Sequence, residues 1–311
     1  MNIVTNPKVS IVIPVYNGSN YIKEAIDSAL NQTYRDLEVI VVNDGSNDEG
    51  KTESIAISYN DKIRYISYPD NGGVSKALNV GIKNMQGKWF AWLSHDDLFC
   101  KNRIEKDMQF LQNKPDVKII FCPCQIIDKN GKIIGESEYV TNKVSNCREA
   151  MELGGVDMCS MTIYKPCFEK VGLFNEINKL TQDVEMTLKL SSKFVFYLNK
   201  DSITYKRDHE KRGSYFLFEQ NLQYKKDLKI LGELIHNDLS IYDFFPDLFL
   251  ESKADLSEIY MYMANLYLFC QSRKYAAEYY LKHMQSVSSL TLKLRTIILL
   301  IKTLLILLIK N

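Results

Sequence analysis

The amino-acid sequence predicts an α/β protein: a doubly wound, mostly parallel sheet followed by a C-terminal α-helical appendage. Continuous apolar segments recur along the first third of the chain, and each is followed by a polar, turn-rich loop and then by apolar residues at helical spacing. Repetition of strand, loop and helix is typical of parallel sheets with right-handed crossovers. Beyond residue 215 the composition changes to aromatic residues, leucine and charged residues in helical patterns, which predicts the appendage.

The predicted strands are short apolar runs without polar alternation, as expected for strands that are covered on both faces. They are residues 9–14, 37–42, 63–68, 89–93 and 117–121. The predicted helices between them are residues 22–30, 50–59, 74–85 and 103–111. Residues 128–132, Asp-Lys-Asn-Gly-Lys, contain an Asn-Gly pair and predict a hairpin turn.

Charge and cysteine content restrict the class of protein and its compartment. The 39 lysine and arginine residues nearly balance the 38 aspartate and glutamate residues, so no strong positive field indicates nucleic acid as a partner. The seven cysteines form no Cys-x-x-Cys pair and lie mostly in apolar segments, which favours reduced thiols in a reducing cytosol. The N-terminus does not resemble a signal peptide, so we expect no export by that route.

Polar loops follow the predicted strands, at the edge of the sheet where open α/β proteins bind ligands. Residues 16–17, 43–46 and 70–73 each include Asn or Asp, and glycine in two of these loops would let backbone N–H groups approach a ligand. The absence of the Gly-rich dinucleotide and P-loop patterns argues against those two classes. A nucleotide can still bind here, with Asp44 accepting from a base N–H, although simple turn chemistry also explains each loop alone.

Two adjacent carboxylates, Asp96 and Asp97, follow the apolar strand 89–93. Such a pair repels itself unless a cation lies beside it. Oxygen ligands of this kind suit Mg²⁺ or Mn²⁺, which commonly accompany phosphates in proteins. The alternative is a solvated helix start, since aspartate also caps helices.

Four segments have an order and spacing that belong together. They are Ser10-Ile-Val-Ile-Pro-Val-Tyr-Asn17, Val42-Asn-Asp-Gly-Ser-Asn-Asp48, Asp70-Asn-Gly-Gly-Val-Ser-Lys-Ala-Leu-Asn-Val-Gly-Ile82 and the strand end with Asp96-Asp97. Over roughly residues 8–210 the chain resembles glycosyltransferase family 2. The resemblance implies a GT-A fold, with mixed strand directions after residues 128–132. It also implies inverting sugar transfer from a nucleotide diphosphate sugar, with a UDP-sugar as the expected donor.

The resemblance further implies where the donor and a metal ion bind. Asp44 would lie near the base, while Asp96 and Asp97 would take the place of the family's Asp-x-Asp and hold Mn²⁺ or Mg²⁺. The implied nucleotide pocket is formed by Pro14, Tyr16, Asn17 and Asp44 and closed by Asn71, Gly72, Gly73 and Lys76, with Asp96 at the diphosphate. Because Ser94 replaces the first aspartate of the motif, either Asp96 or Asp97 could be the direct ligand, and His95 is left unassigned.

Asp183, at the start of a predicted helix, matches the family's general base. A carboxylate there is held rigidly while its side chain faces the cleft. The structural alternative is that Thr181 caps the helix and acidic residues favour its first turn. Residues 205–214 match a basic family loop near the diphosphate, so the resemblance assigns Arg207 to the diphosphate and His209 to the metal; the alternative is a charged surface loop.

The domain prediction follows the changes in composition. The parts are a glycosyltransferase domain at 1–212, a helical region at 213–288 with a helical hairpin at 254–271 and 274–284, and an amphipathic helix at 289–311. Apolar runs in the last part are shorter than the roughly 20 residues that span a bilayer. Arg295 and Lys302 share one side of a very apolar helix, which favours peripheral membrane contact over a groove of the protein itself.

These features together predict a cytoplasmic protein on the inner face of the cell membrane. Its expected acceptor is a saccharide or lipid-linked saccharide, in cell-surface polysaccharide assembly. Two other functions remain open. A sugar nucleotidyltransferase would need a Gly-rich, basic first loop, which residues 14–18 lack, and a non-catalytic, membrane-attached scaffold that binds a nucleotide sugar is favoured only by Ser94.

Overall fold

The computed structural model describes residues 9–137, 139, 141–153, 156–210, 222–246, 253–287 and 289–309. The chain divides into two units, Met1–Phe216 and Leu217–Asn311. The predicted boundary between residues 212 and 213 lies outside the described residues, as does residue 288 at the second predicted boundary.

The strands of the first unit are short, as the sequence predicts. They are β1 Val9–Val15, β2 Leu37–Asp44, β3 Arg64–Tyr68, β4 Trp89–Trp92, β5 Leu98–Phe99, β6 Ile119–Phe121, β7 Cys124–Ile127, β8 Ile133–Ser137, β9 Lys143–Val144, β10 Thr162–Tyr164, β11 Phe196–Leu198 and β12 Thr204–Arg207. Its helices are α1 Ile22–Leu30, α2 Lys51–Ile57, α3 Val74–Asn84, α4 Arg103–Asn113, α5 Cys147–Glu152, α6 Pro166–Val171 and α7 Gln182–Ser191, with 3₁₀ turns at Asn60–Lys62 and Met158–Ser160.

The large sheet confirms the predicted fold class. Within the described residues it has eight strands, in the order β3-β2-β1-β4-β10-β6-β11-β9. β1 is parallel to β2 and β4, and β2 is parallel to β3, so the carboxyl ends of these four strands lie at one edge. β10 runs antiparallel between β4 and β6, which introduces the mixed strand directions of the second half.

Helices cover both faces of the parallel strands, which explains their unbroken apolar sequences. Every residue of β1 is buried. Val12 of β1 packs in one cluster with Leu78 of α3, and Ile11 packs in another with Ile26 of α1. The core therefore lies on both sides of the sheet and leaves its carboxyl edge open to a ligand.

A smaller sheet fixes the segment that follows β4. Its described strands have the order β5-β12-β7-β8. β5 begins directly after Asp97 and pairs with β12, so that Leu98 lies opposite Tyr205. β7 and β8 form the hairpin that the turn at residues 128–132 predicts. This pairing places the end of β12 beside Asp96 and Asp97, although a hundred or so residues separate them in the chain.

The described helices of the second unit are α8 Leu222–Asn237, α9 Ile241–Phe244, α10 Lys253–Phe269, α11 Arg273–Ser286 and α12 Leu290–Ile309. The predicted hairpin is present as α10 and α11, which pack on each other. Ala276 and Tyr280 are buried at this contact, and the Tyr280 hydroxyl donates to Asn265 Oδ1 at 3.0 Å. None of the helices in the described part of the chain has the length and hydropathy needed to cross a membrane.

Helix α12 packs against α11 with its more polar side inward. Thr296 is fully buried, and its hydroxyl lies 3.0 Å from His283 Nδ1. Leu300 and Thr303 are buried on the same side. The exposed apolar residues of this helix include Leu290, Leu292, Leu294, Ile297, Ile298 and Ile301. One side of α12 therefore contacts the protein, as the alternative expectation has it, while most of the large apolar side chains described between residues 290 and 303 remain outward.

Candidate active site

A cavity of about 370 Å³ opens at the edge of the sheet where β1, β2 and β4 end. Val74, Ala77 and Trp92 contribute apolar wall, while the polar lining comes from several separate segments. Six of the predicted site residues line it together: Pro14, Tyr16, Asp44, Asp96, Asp97 and Asp183. The ligand site that the sequence predicts at this edge thus corresponds to a real concavity.

Asp96 carries the carboxylate that meets the imidazole of His209. The distance from His209 Nε2 to Asp96 Oδ2 is 3.0 Å, and the His209 ring packs on Tyr21 at 5.0 Å between centroids. Although burial opposes ionisation, the neighbouring His95 and the hydrogen bond from His209 hold the pKa of the Asp96 carboxyl below its ordinary value. The Asp96 carboxylate, which lines the cavity, is therefore ionised and lies beside the His209 imidazole, which is not among the described lining residues.

Asp97 has a different partner. Its Oδ1 accepts the backbone N–H of Arg207 at 2.9 Å, which ties the end of β4 to β12. Burial, with the negative charge of Asp96 next in size, raises the pKa of Asp97 to about 8. The Asp97 oxygen that accepts this N–H is committed to the backbone, whereas the Asp96 carboxylate accepts no such backbone bond from β12, which favours Asp96 as the direct ligand.

Asp44 joins the second and third predicted loops. Its two carboxylate oxygens accept the backbone N–H groups of Gly72 and Gly73, both at 2.8 Å, and Asn71 Nδ2 donates to its carbonyl oxygen at 3.2 Å. Asp44 itself belongs to β2, because it pairs with Tyr68 of β3. The sequence assigned it to a loop, since polar residues at the end of an apolar run normally mark the end of a strand.

Gly45 lets the two loops approach each other. Its φ is +69°, and a Cβ there would lie 2.7 Å from the backbone nitrogen of Asn71. Any other residue would push the Asn71–Gly73 loop away from Asp44. The Asn-Asp-Gly sequence thus has a packing reason beyond turn formation.

The first predicted loop is linked to the second by asparagine side chains. Asn17 Nδ2 donates to Asn47 Oδ1 at 2.7 Å, and the Asn47 backbone N–H donates to Asn17 Oδ1 at 2.8 Å. The Tyr16 ring is 41% exposed beside the cavity, which leaves its face accessible. Asn17 therefore positions the loop, whereas Tyr16 is the side chain that can contact a ligand.

Four residues were predicted to close over the nucleotide: Asn71, Gly72, Gly73 and Lys76. They are not part of the described cavity lining. The Lys76 ammonium lies over the Tyr68 ring at 4.3 Å from its centroid. Gly73 directly precedes α3 and has a φ of +90°, which favours glycine.

Asp183 lies in the first turn of α7 and faces the same cavity as Asp96. Its Oδ1 accepts the Val184 backbone N–H at 2.8 Å. Burial raises the pKa of the Asp183 carboxyl above its ordinary value, and the negative Asp157 adds to this rise. The Thr181 hydroxyl donates to Asn178 Oδ1 at 3.0 Å instead of capping the helix. The alternative interpretation, in which Thr181 caps α7, therefore lacks the capping hydrogen bond that it requires.

Arg207 was predicted to contact the diphosphate. In the structure its guanidinium is instead fully buried beside the site. Nε donates to the carbonyl oxygen of Asp96 at 3.0 Å, and Nη2 pairs with Glu24 at 2.7 Å. The guanidinium also lies 4.4 Å from the centroid of the Tyr21 ring. Side chains alternate along a strand, so the neighbouring Lys206 faces the cavity instead.

Two charged residues of the described cavity lining were not predicted from the sequence, Asp157 and Lys206. Asp157 Oδ2 forms an ion pair with the Lys206 ammonium, and Oδ1 accepts the Cys159 backbone N–H at 3.0 Å. Strand alternation around Arg207 could have indicated Lys206. Nothing in the local sequence distinguishes Asp157 from an ordinary helix cap, because its place depends on the antiparallel strand that follows it.

Comparison with known proteins decides the family. The family described as Glycosyl transferase family 2 matches residues 10–166. The chain belongs to glycosyltransferase family 2. A glycosyltransferase of Rickettsia typhi is 42% identical over 226 residues, which are 71% of this chain and 70% of that protein. A glycosyltransferase of Rickettsia bellii is 46% identical over 214 residues, or 67% of this chain. The chain spans only 31% of the length of that second relative.

A solved structure shares the fold of this family 2 protein. Staphylococcus aureus TarS 1-349, crystallised in complex with UDP-GlcNAc, superposes with a TM-score of 0.61. The superposition covers 90% of this chain and 89% of the TarS chain, at 15% sequence identity. This likeness confirms the GT-A type of sheet.

Ser94 is where this family 2 chain departs from the Asp-x-Asp motif. Its hydroxyl lies 3.1 Å from the Cys159 thiol, within hydrogen-bond distance. A neutral hydroxyl cannot supply the charge of a carboxylate ligand. Ser94 therefore leaves Asp96 and Asp97 as the carboxylates of this motif.

The donor set for a divalent ion is small but suitable. In the part of the chain that the structure describes, no three His, Cys, Asp or Glu side chains converge to hold a metal by themselves. Asp96 nevertheless presents a carboxylate at the cavity, and the His209 imidazole lies directly against that carboxylate. Mg²⁺ and similar ions are often held by one or two protein ligands, with phosphate oxygens and water completing the shell. The pair therefore fits an ion that is bound jointly with a diphosphate.

Proposed function

We propose that this protein transfers a sugar, with inversion, from a nucleotide diphosphate sugar to an acceptor hydroxyl. The observation that carries the proposal is the convergence of Asp96 and Asp183 on one cavity from distant parts of the chain. The donor diphosphate is bound on the Asp96 side, and the acceptor hydroxyl meets Asp183. The transferred group is a hexosyl or N-acetylhexosaminyl residue.

Asp183 is the general base. Its carboxylate accepts the proton of the acceptor hydroxyl while the oxygen attacks the anomeric carbon. The new C–O bond forms as the bond to the diphosphate breaks on the opposite side, which inverts the anomeric centre. The first turn of α7 fixes the carboxylate, and its raised pKa makes it a better proton acceptor than a solvated aspartate.

The nucleotide lies across the first three loops of the sheet. The Tyr16 ring stacks on the base, and Asp44 has lone pairs left to accept a base N–H besides those that hold Gly72 and Gly73. Pro14 and Asn17 shape this pocket, and Lys76 closes over the donor. UDP is the proposed nucleotide, since TarS, which has the same fold, was crystallised with UDP-GlcNAc.

Asp96 and His209 hold Mn²⁺ or Mg²⁺ together with the donor. When bound, such an ion stabilises the negative charge that develops on the departing nucleoside diphosphate. Arg207 supports the site indirectly, because the hydrogen bond from its Nε to the Asp96 carbonyl oxygen fixes the backbone at Asp96. Asp97 acts in the same way through the backbone of β12.

The proposed acceptor is a saccharide or lipid-linked saccharide of cell-surface polysaccharide assembly. The protein works on the cytoplasmic face of the membrane, which it contacts peripherally through α12. The exposed apolar residues of that helix and its cations Lys293, Arg295 and Lys302 support this location, since the segment 290–309 contains no acidic residue.

A screen of nucleotide sugars tests the proposed activity. Purified protein is incubated with UDP-, GDP- and dTDP-sugars, with Mn²⁺ or with a chelator, and release of the nucleoside diphosphate is measured. We expect release from a UDP-sugar that depends on the divalent ion. UDP binding without turnover of any donor would favour the scaffold, and formation of a nucleotide sugar from a nucleoside triphosphate and a sugar phosphate would favour a nucleotidyltransferase.

A further inference from the structure

The ion pair of Asp157 and Lys206 lies in the cavity but has no part in the proposed chemistry so far. Asp157 begins the 3₁₀ turn Met158–Ser160, and Lys206 lies on β12. Both side chains are about one-fifth exposed, at 20% and 22%. The Asp157 carboxylate is fixed in place, because its second oxygen accepts the backbone N–H of Cys159.

The side chains that line the cavity are mostly acidic, and this makes the positive charge of Lys206 important. The titratable groups that share the lining with Asp183 are Tyr16, Asp44, His95, Asp96, Asp97, Asp157, Cys159 and Lys206. Among the described lining residues, Lys206 supplies the only ammonium, against several carboxylates. A half-buried carboxyl among other carboxylates binds a proton more tightly, and a protonated base cannot accept the proton of the acceptor.

We propose that Lys206, held in place by Asp157, is a positioning residue that keeps the Asp183 carboxylate ionised and ready to accept a proton. This inference rests on the proposed role of Asp183 as general base. Lys206 does not touch the reacting atoms; it acts through the charge it presents to the cavity. Asp157 fixes the ammonium but also adds a negative charge, whose effect on Asp183 is opposite to that of Lys206 and larger, so the ammonium counters part of it.

The two members of the pair act on Asp183 in opposite directions. The Lys206 ammonium lowers the pKa of the Asp183 carboxyl, whereas the Asp157 carboxylate raises it, as burial does more strongly. Loss of Lys206 therefore raises this pKa, and loss of the Asp157 charge lowers it. The acid limb of the pH–rate profile follows the same directions, because the base must be ionised to work.

The experiment compares the pH dependence of kcat/KM for the native protein and two variants. Lys206→Met is expected to move the acid limb to higher pH by about one unit, the usual scale for loss of a nearby opposite charge. Asp157→Asn is expected to move it to lower pH, and its side-chain oxygen can still accept the Cys159 N–H. Lys206→Arg keeps the charge and should leave the limb where it is in the native protein.

A purely structural role would reduce activity at every pH without opposite displacements of the limb. Shifts in the same direction for both variants, or no shift in either, would overturn the inference. Lys206→Gln, which retains a donor to Asp157, serves if Lys206→Met does not fold. The ¹³C shift of the Asp183 carboxyl, assigned by its loss in Asp183→Asn, gives the same titration without turnover. The inference can therefore fail while sugar transfer is observed, and it can be tested if no transfer is found.

Discussion

Asp96 and Asp97 show how strongly neighbouring residues can differ at the end of a strand. Asp96 meets the His209 imidazole, whereas Asp97 accepts the backbone N–H of Arg207. The sequence placed both carboxylates at the site but left open which one binds the ion. That choice depends on β12, whose pairing with β5 is a long-range contact that no local pattern reveals.

Substitution of the two aspartates separates their roles. Asp96→Asn should weaken Mn²⁺-dependent UDP binding by about tenfold or more, the scale already found for groups that merely orient metal ligands. Asp97→Asn should leave it nearly unchanged, because the amide oxygen can still accept the Arg207 N–H. Calorimetric titration with UDP, with and without Mn²⁺, measures both. A larger loss in Asp97→Asn than in Asp96→Asn would reverse the assignment.

Lys206 and Arg207 are neighbours on β12, but only one of the two side chains faces the cavity. The resemblance directed attention to Arg207, yet its guanidinium is buried against Glu24 and Tyr21. Lys206, one position earlier, reaches the cavity. A motif identifies a stretch of chain, but the pleat of the strand decides which side chain faces the ligand.

At the scale of elements, the apolar runs predicted the central strands because burial on both faces leaves a simple sequence signal. β1 and β4 agree with the prediction to within a residue. β2 extends through Asn43 and Asp44, which the sequence assigned to a loop. The strands β5 and β9 have two residues each, too few for any periodicity to predict.

Over residues 296–303, helix α12 has the reverse of the arrangement expected in water, with Thr296 and Thr303 buried and the three isoleucines of this stretch exposed. An anionic membrane surface would cover the apolar side and attract its cations. The double variant Arg295→Glu, Lys302→Glu should therefore bind anionic vesicles about thirtyfold less or weaker still, given about 1 kcal/mol for each of the two basic residues near such a surface. Flotation of the full chain with phosphatidylcholine vesicles, with and without phosphatidylglycerol, measures the effect.

The matched control reverses two exposed lysines of α8, Lys226→Glu and Lys229→Glu. It changes the net charge equally but should leave flotation close to that of the native protein. Equal losses in the two double variants would contradict a membrane site on α12. A native protein that forms dimers and does not float would show instead that a second copy covers this helix.

At the scale of the whole molecule, the sequence predicted which residues form the site better than it predicted how they are arranged. The resemblance to glycosyltransferase family 2 identified Asp44, Asp96 and Asp183 as residues of one pocket, and the structure brings them to one cavity. Asp157 could not be predicted, because it reaches the cavity through the antiparallel strand β10, after strand directions become mixed. Local patterns identify elements, whereas the pairing of distant elements determines which side chains meet.

The central claim is that Asp183 faces the acceptor as a base while Asp96 holds the donor, and one variant tests it most directly. Asp183→Asn should bind a UDP-sugar and Mn²⁺ as the native protein does, yet transfer sugar about 10²-fold more slowly or worse. Asp201→Asn, at an exposed aspartate outside the cavity lining, is the matched control and should transfer at the native rate. Transfer by Asp183→Asn at near the native rate would contradict the account.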